Sequence, residues 1–76
     1  MTLAELEGFK RLIGDRTGRE VMVWTGGGHY FRGSLRGIDA GGFLVMEEVS
    51  CTLAGERQER EQVLVNLEAI DAVSAV

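Results

Sequence analysis

Phe31-Arg32-Gly33-Ser34-Leu35-Arg36-Gly37-Ile38-Asp39 is the stretch that decides how this chain folds. It has the composition of one strand, in which period-2 alternation puts Phe31, Gly33, Leu35 and Gly37 on one face. Tyr30, Arg32, Ser34, Arg36 and Ile38 then fall on the other. Glycine weakens a strand, because it packs little and loses much backbone entropy on folding. Two glycines bracketing Leu35 on one face therefore mark a place where the sheet bends sharply or another backbone comes close. A strand bent that far curls a short sheet into a small barrel.

Working outward, Ala40-Gly41-Gly42 turns the chain and Phe43-Leu44-Val45-Met46-Glu47-Glu48-Val49 begins the next strand. On the N-terminal side, Gly26-Gly27-Gly28 supplies the positive backbone angles of a hairpin. Before it, Glu20-Val21-Met22-Val23-Trp24-Thr25 is rich in β-branched and aromatic residues, and apolar on both faces. Further back, Thr2 and Glu5 have capping-box spacing. Leu3, Leu6, Phe9, Leu12 and Ile13 follow at three- and four-residue steps, which predicts an amphipathic helix over residues 2–13. Gly14 suits the position just past its end, and Asp15-Arg16-Thr17-Gly18 is a turn. An apolar helix face of this kind must cover the open end of a sheet. Downstream, Leu53–Gln62 is the most polar segment and is expected to be a solvated hairpin tip. Val63–Asn66 makes a fourth strand, Leu67-Glu68-Ala69 a short turn, and Ile70–Val76 a fifth strand. The expected fold is mainly β: an N-terminal helix, then a five-stranded, strongly bent antiparallel small barrel over about residues 19–76.

The chain has 76 residues, room for a single domain, and a chain this short buries only about 60% of its unfolded surface. Its hydrophobic fraction of 45% beside 26% charged residues fits a protein that covers part of its surface by oligomerising. The net charge of −4 removes any general attraction to a polyanion, so nucleic-acid contact requires a local basic patch. Cys51 and His29 are each the sole residue of their type. There is thus no disulfide pair and no zinc-ligand set, and Cys51 reads as a small buried hydrophobe. With no leader and no long apolar run, the expected location is the cytoplasm, away from membranes.

Catalytic signatures fail on spacing. A dinucleotide fingerprint from Gly26 and Gly28 requires glycine where Phe31 sits. A phosphate loop from Gly28 to Gly33 requires lysine and a hydroxyl residue where Ser34-Leu35 follows, and no helix comes next to receive a phosphate. His29 has no nucleophile paired with it in any local motif. Glu47 and Glu48, adjacent on a strand, point to opposite faces. No catalytic residue, metal, cofactor or small-molecule substrate is expected. Arg32 and Arg36 are different: four apart on one strand, with Tyr30 and Ser34 beside them, they form a surface able to stack on bases and clamp phosphates. Lys10, Arg11, Arg16 and Arg19 add local positive character to the helix and the turn after it.

This order of elements resembles the Sm-like family, which includes bacterial Hfq. Phe31–Asp39 is similar to that family's first motif, with its glycine, leucine, second glycine and aspartate at these spacings. Val65-Asn66-Leu67-Glu68-Ala69-Ile70-Asp71-Ala72-Val73 fits the apolar spacing of the second. The resemblance implies a helix stacked on a bent five-stranded barrel, and homo-oligomeric ring assembly in which the fourth strand of one subunit pairs with the fifth of the next. Head-to-tail pairing of two free sheet edges closes a ring of roughly six or seven subunits. The family's uridine pocket uses an asparagine after the first-motif aspartate and an arginine-glycine pair in the second motif. Here Asp39 is kept, while those positions hold Phe43, Asn66 and Leu67; Hfq's lysine-histidine pair would fall at Leu67 and Glu68.

The sequence therefore leads to a ring-forming Sm-like protein without enzymatic activity that binds single-stranded RNA through a non-standard surface. The candidates are the loops carrying Asp39, Gly41, Phe43 and Asn66, and the face carrying Arg32 and Arg36. The competing reading is an acidic oligomeric scaffold, or a protein-interaction module that has lost RNA binding. A third is a barrel of another Sm-like lineage acting on the ribosome or inside a larger assembly.

Overall fold

The structure, a computed structural model, describes residues 3–14 and 17–76. Helix α1 (Leu3–Gly14) is followed by strands β1 (Glu20–Thr25), β2 (His29–Asp39), β3 (Phe43–Leu53) and β4 (Glu56–Asn66), a 3-10 turn at Leu67–Ala69, and β5 (Ile70–Ala75). The strands form one antiparallel sheet in the order β4-β3-β2-β1-β5. This is the small-barrel architecture expected from the sequence, with β4 and β5 as its two edges. The capping box placed at Thr2 and Glu5 and the Asp15-Arg16 half of the first turn lie outside the described residues. Gly14 is the last residue of the helix rather than the one after it.

Alternation in β1 turns Val21, Val23 and Thr25 inward and leaves Glu20 and Trp24 exposed. The core gathers those two valines with Phe31, Leu35, Leu44, Met46, Val49, Cys51, Val65 and Leu67. Ile13 is buried in the same cluster and Phe9 packs on it, so α1 covers the sheet as its apolar face requires.

The bend is made by two bulges between β2 and β3, and they divide the work of the two glycines. The first sits where Arg32 faces Ser50 and Ser34 faces Glu47, so β3 carries one extra residue. Glu48 takes it up with φ +54, and the inward set of β3 steps from Met46 to Val49. Opposite it, a Cβ on Gly33 would lie 2.9 Å from the Glu47 carbonyl oxygen and 3.0 Å from Val49 Cγ2. Gly33 therefore serves close backbone approach. The second bulge puts the extra residue on β2, since Leu35 faces Met46 while Gly37 faces Val45. Gly37 adopts φ +153 with open space around it, so it serves conformation alone. Strict alternation over Phe31–Asp39 thus fails at this point: Gly37 leaves the face of Gly33 and Leu35, and Ile38 turns to pack on the core.

The polar segment differs most from expectation. The turn is only Ala54-Gly55, with φ +52 and +81, and Leu53 faces Glu56 across it. Positive φ at both central residues is the type I′ geometry that matches strand twist. Glu56–Gln62 is thus strand rather than hairpin tip, joined to Val63–Asn66 in one eleven-residue β4. Its backbone pairing to β3 sustains it, although neither of its faces is buried.

Candidate functional site

The candidate residues separate onto two surfaces. Asp39, Gly41, Phe43 and Asn66 come together at one end of the sheet, where Asp39 faces Phe43 and Phe43 faces Asn66. Here the polar groups are turned on their own loops. Asp39 Oδ1 accepts from the Gly41 amide at 2.6 Å, and the Gly42 amide donates to the Asp39 carbonyl at 2.9 Å. Asn66 caps the 3-10 turn, its Oδ1 accepting from the Glu68 amide at 3.0 Å. The Leu67 amide donates to the Gly42 carbonyl at 3.0 Å and ties the two loops together. What this end offers outward is the Phe43 ring, 37% exposed. Chemically it is a stacking surface flanked by backbone, with one Asp39 carboxylate oxygen and the Asn66 amide oxygen already engaged.

Arg32 and Arg36 are both exposed on the outer side of β2, since alternation holds from Phe31 to Arg36 and breaks only at Gly37. Each is paired with a carboxylate: Arg36 with Glu47, and Arg32 with Glu20 through Nε at 2.9 Å. The hydrogen bond from Arg32, reinforced by its charge, holds the Glu20 carboxyl below its ordinary range, and the same bond raises Arg32.

Around Arg32 the sheet builds a second surface that sequence reasoning did not assemble. Trp24 faces Tyr30, Tyr30 faces Thr52, and Thr52 faces Arg57, so four strands supply one transverse row. Met22, Arg32, Ser50 and Glu59 form the next row. The Trp24 and Tyr30 rings lie 5.3 Å apart, tilted by 48°, a favourable aromatic pair geometry. Tyr30, Arg32, Ser50, Thr52 and Arg57 line a groove of about 230 Å³. Among the described residues no carboxylate lies within ion-pair distance of Arg57. The groove thus combines π faces for stacking, hydroxyls for hydrogen bonding and a guanidinium free to meet an anion. Part of it was within reach of the sequence, because a three-glycine loop closing on Thr25 and His29 sets Trp24 opposite Tyr30. Arg57 was not, since its register depends on an Ala54-Gly55 turn that carries little sequence signal.

No family model matches the chain, and no curated protein matches it. Solved structures do. The SmAP1 heptamer of P. aerophilum shares 27% identity over 87% of this chain and 89% of its own, with a TM-score of 0.74. The Sm protein of Pyrococcus abyssii, solved in complex with a uridine heptamer, shares 22% over 87% and 94%, also at 0.74. A chain of the NatC complex bound to CoA shares the fold at 19% identity over 84% and 83%, with a TM-score of 0.71. The extent of these matches and their TM-scores show that the chain has the Sm-like fold.

Proposed function

We propose that the chain is a single-domain, ring-forming, RNA-associated module that engages single-stranded RNA on the outer face of its sheet. Ring assembly rests on the two free edges, β4 and β5, and on the heptameric state of the P. aerophilum relative. In the proposed ring, of six or seven identical subunits, β4 of one copy pairs with β5 of the next. RNA association rests on the uridine heptamer bound by the Pyrococcus protein and on the groove described above.

The single observation that carries the site is the row Trp24–Tyr30–Thr52–Arg57 beside Arg32. Bases stack on aromatic rings at about 1–3 kcal/mol each, and guanidiniums meet the phosphates between them. Asp39, Gly41, Phe43 and Asn66 are proposed as a secondary contact, in which Phe43 stacks on a base without reading its edge. Arg36, held by Glu47, contributes charge alone. The reading assigns no catalytic step and places the protein in the cytoplasm. Among the described residues no helix is long and apolar enough to cross a membrane.

The test is a titration of the full chain with short U-rich and A-rich RNAs at low and moderate salt, followed by anisotropy and by Trp24 fluorescence. Saturable binding that quenches Trp24 and weakens with salt is expected; absence of binding at low salt overturns the reading.

A second reading, an acidic oligomeric scaffold or protein-interaction module, is favoured by the net charge of −4 and by the internal engagement of Asp39 and Asn66. The likeness to a chain of a multi-protein complex points the same way. Native mass with the 260/280 nm absorbance ratio separates the two, since a ring purified free of nucleic acid supports the scaffold.

A further inference from the structure

The outer half of β4 has two exposed faces and an open edge. β5 has six residues against eleven in β4, so edge pairing between neighbouring copies engages about half of β4. The half suited to that contact is Glu61–Asn66, where Leu64 is 55% exposed. Glu56–Arg60 is left over, and among the described residues its charges have no partner on their own sheet. Across β3, Glu56 faces Leu53, Arg57 faces Thr52, Glu59 faces Ser50 and Arg60 faces Val49. Among the described residues none of these four forms an ion pair. Arg60 instead reaches Gln58 and the Glu59 carbonyl on its own strand.

The order of charges from Glu56 to Arg60 is negative, positive, neutral, negative, positive. Reversed, it is its own complement. We propose that this segment is a docking edge for a second copy of the same chain, paired antiparallel about a two-fold axis through Gln58. That register sets Glu56 opposite Arg60 and Arg57 opposite Glu59, twice each, with the two Gln58 amides at the centre. The first pair lies on one face of the joined sheet and the second on the other. Neighbouring registers are worse. Opposed residues share a face, so the dyad passes through a residue; one through Arg57 opposes Arg57 to its own copy, and one through Glu59 opposes Glu59 to its own copy. Parallel in-register pairing sets like against like throughout. The pattern thus favours one register and rejects its neighbours. Such a contact is isologous and closes on itself, so it joins two rings face to face without propagating a fibre. Arg57 also lines the groove, so at that side chain the two uses exclude each other.

The test is the native mass of the full chain at low ionic strength and at about 1 M salt, where charges are screened beyond about 3 Å. The expected result is a low-salt assembly of twice the high-salt mass. Arg60→Glu abolishes the doubling, by opposing Glu56 with glutamate, and the swap Glu56→Arg with Arg60→Glu restores it. A wild-type mass that does not double, an Arg60→Glu variant that still doubles, or a swap that fails to restore doubling each overturns the proposal. Ring formation reads out separately, as the size of the undoubled unit.

Discussion

The Asp39 carboxylate belongs to its own loop: Oδ1 takes the Gly41 amide at 2.6 Å and closes the β2–β3 turn. Replacing Asp39 with alanine leaves that amide unpaired and is expected to cost about 1 kcal/mol of stability. Asparagine keeps an acceptor in place and should recover most of the loss. Urea denaturation of both variants measures this. If the groove is the main RNA site and this end a secondary contact, either variant weakens RNA binding less than loss of Trp24 does.

The two bulge glycines should fail differently. Gly33→Ala drives a methyl into the Glu47 and Glu48 carbonyls of β3, and a loss of about 2–3 kcal/mol is expected. Gly37→Ala meets no neighbour but must adopt φ +153, at a cost of about 1–2 kcal/mol. Going on to serine should worsen Gly33 and change Gly37 little, because only the first site is crowded. Denaturation midpoints across the four variants separate crowding from backbone strain.

Ala54 holds φ +52 in a two-residue turn, a conformation that asparagine tolerates better. Ala54→Asn is expected to raise stability by about 0.5–1 kcal/mol, read as a higher denaturation midpoint with an unchanged slope.

The pairing of Glu20 with Arg32 has a definite pH signature. The folded-state Glu20 carboxyl titrates below its ordinary value of 4.5, so its contribution is in place above that value and is lost as pH falls through the lowered one. Arg32→Ala should return Glu20 to the ordinary range, as followed by the chemical shift of its carboxyl carbon. Both side chains are about half exposed, so added salt should narrow the difference.

If RNA lies in the groove, Trp24→Ala removes one stacking platform and should weaken binding roughly ten-fold, in line with about 1–3 kcal/mol per stacked base. Arg57→Gln should weaken it less and flatten its salt dependence by about one phosphate contact. Both substitutions fall on exposed positions, so circular dichroism should show the fold intact.

The helix, the glycine hairpin and the apolar strands were legible because each places side chains in a period that burial enforces. Two features escaped for physical reasons. A bulge shifts alternation by a single residue, so Ile38 looked outward until pairing with β3 showed Gly37 out of step. The polar half of β4 looked like loop because hydropathy reports burial, whereas Glu56–Gln62 is held by backbone hydrogen bonds to β3. The same gap hid Arg57 from the candidate site. Arg32 and Arg36 were legible as one exposed face because alternation runs unbroken from Phe31 to Arg36.

The pairing of β1 with β5 also governs how the molecule comes into being. Val21 and Val23 lie in the core, yet their strand takes Ala75 and Val73, from the far end of the chain, as partners. The other three strand pairs join consecutive strands, so the closing of β5 on β1 carries the largest loop-closure entropy in the sheet. Until then the nascent meander holds β1 as an open edge with buried-type valines beside it. If copies join through β4 and β5 as proposed, a neighbour's β4 arriving before β5 has docked would meet the wrong strand, and misassembly would compete with assembly in that window.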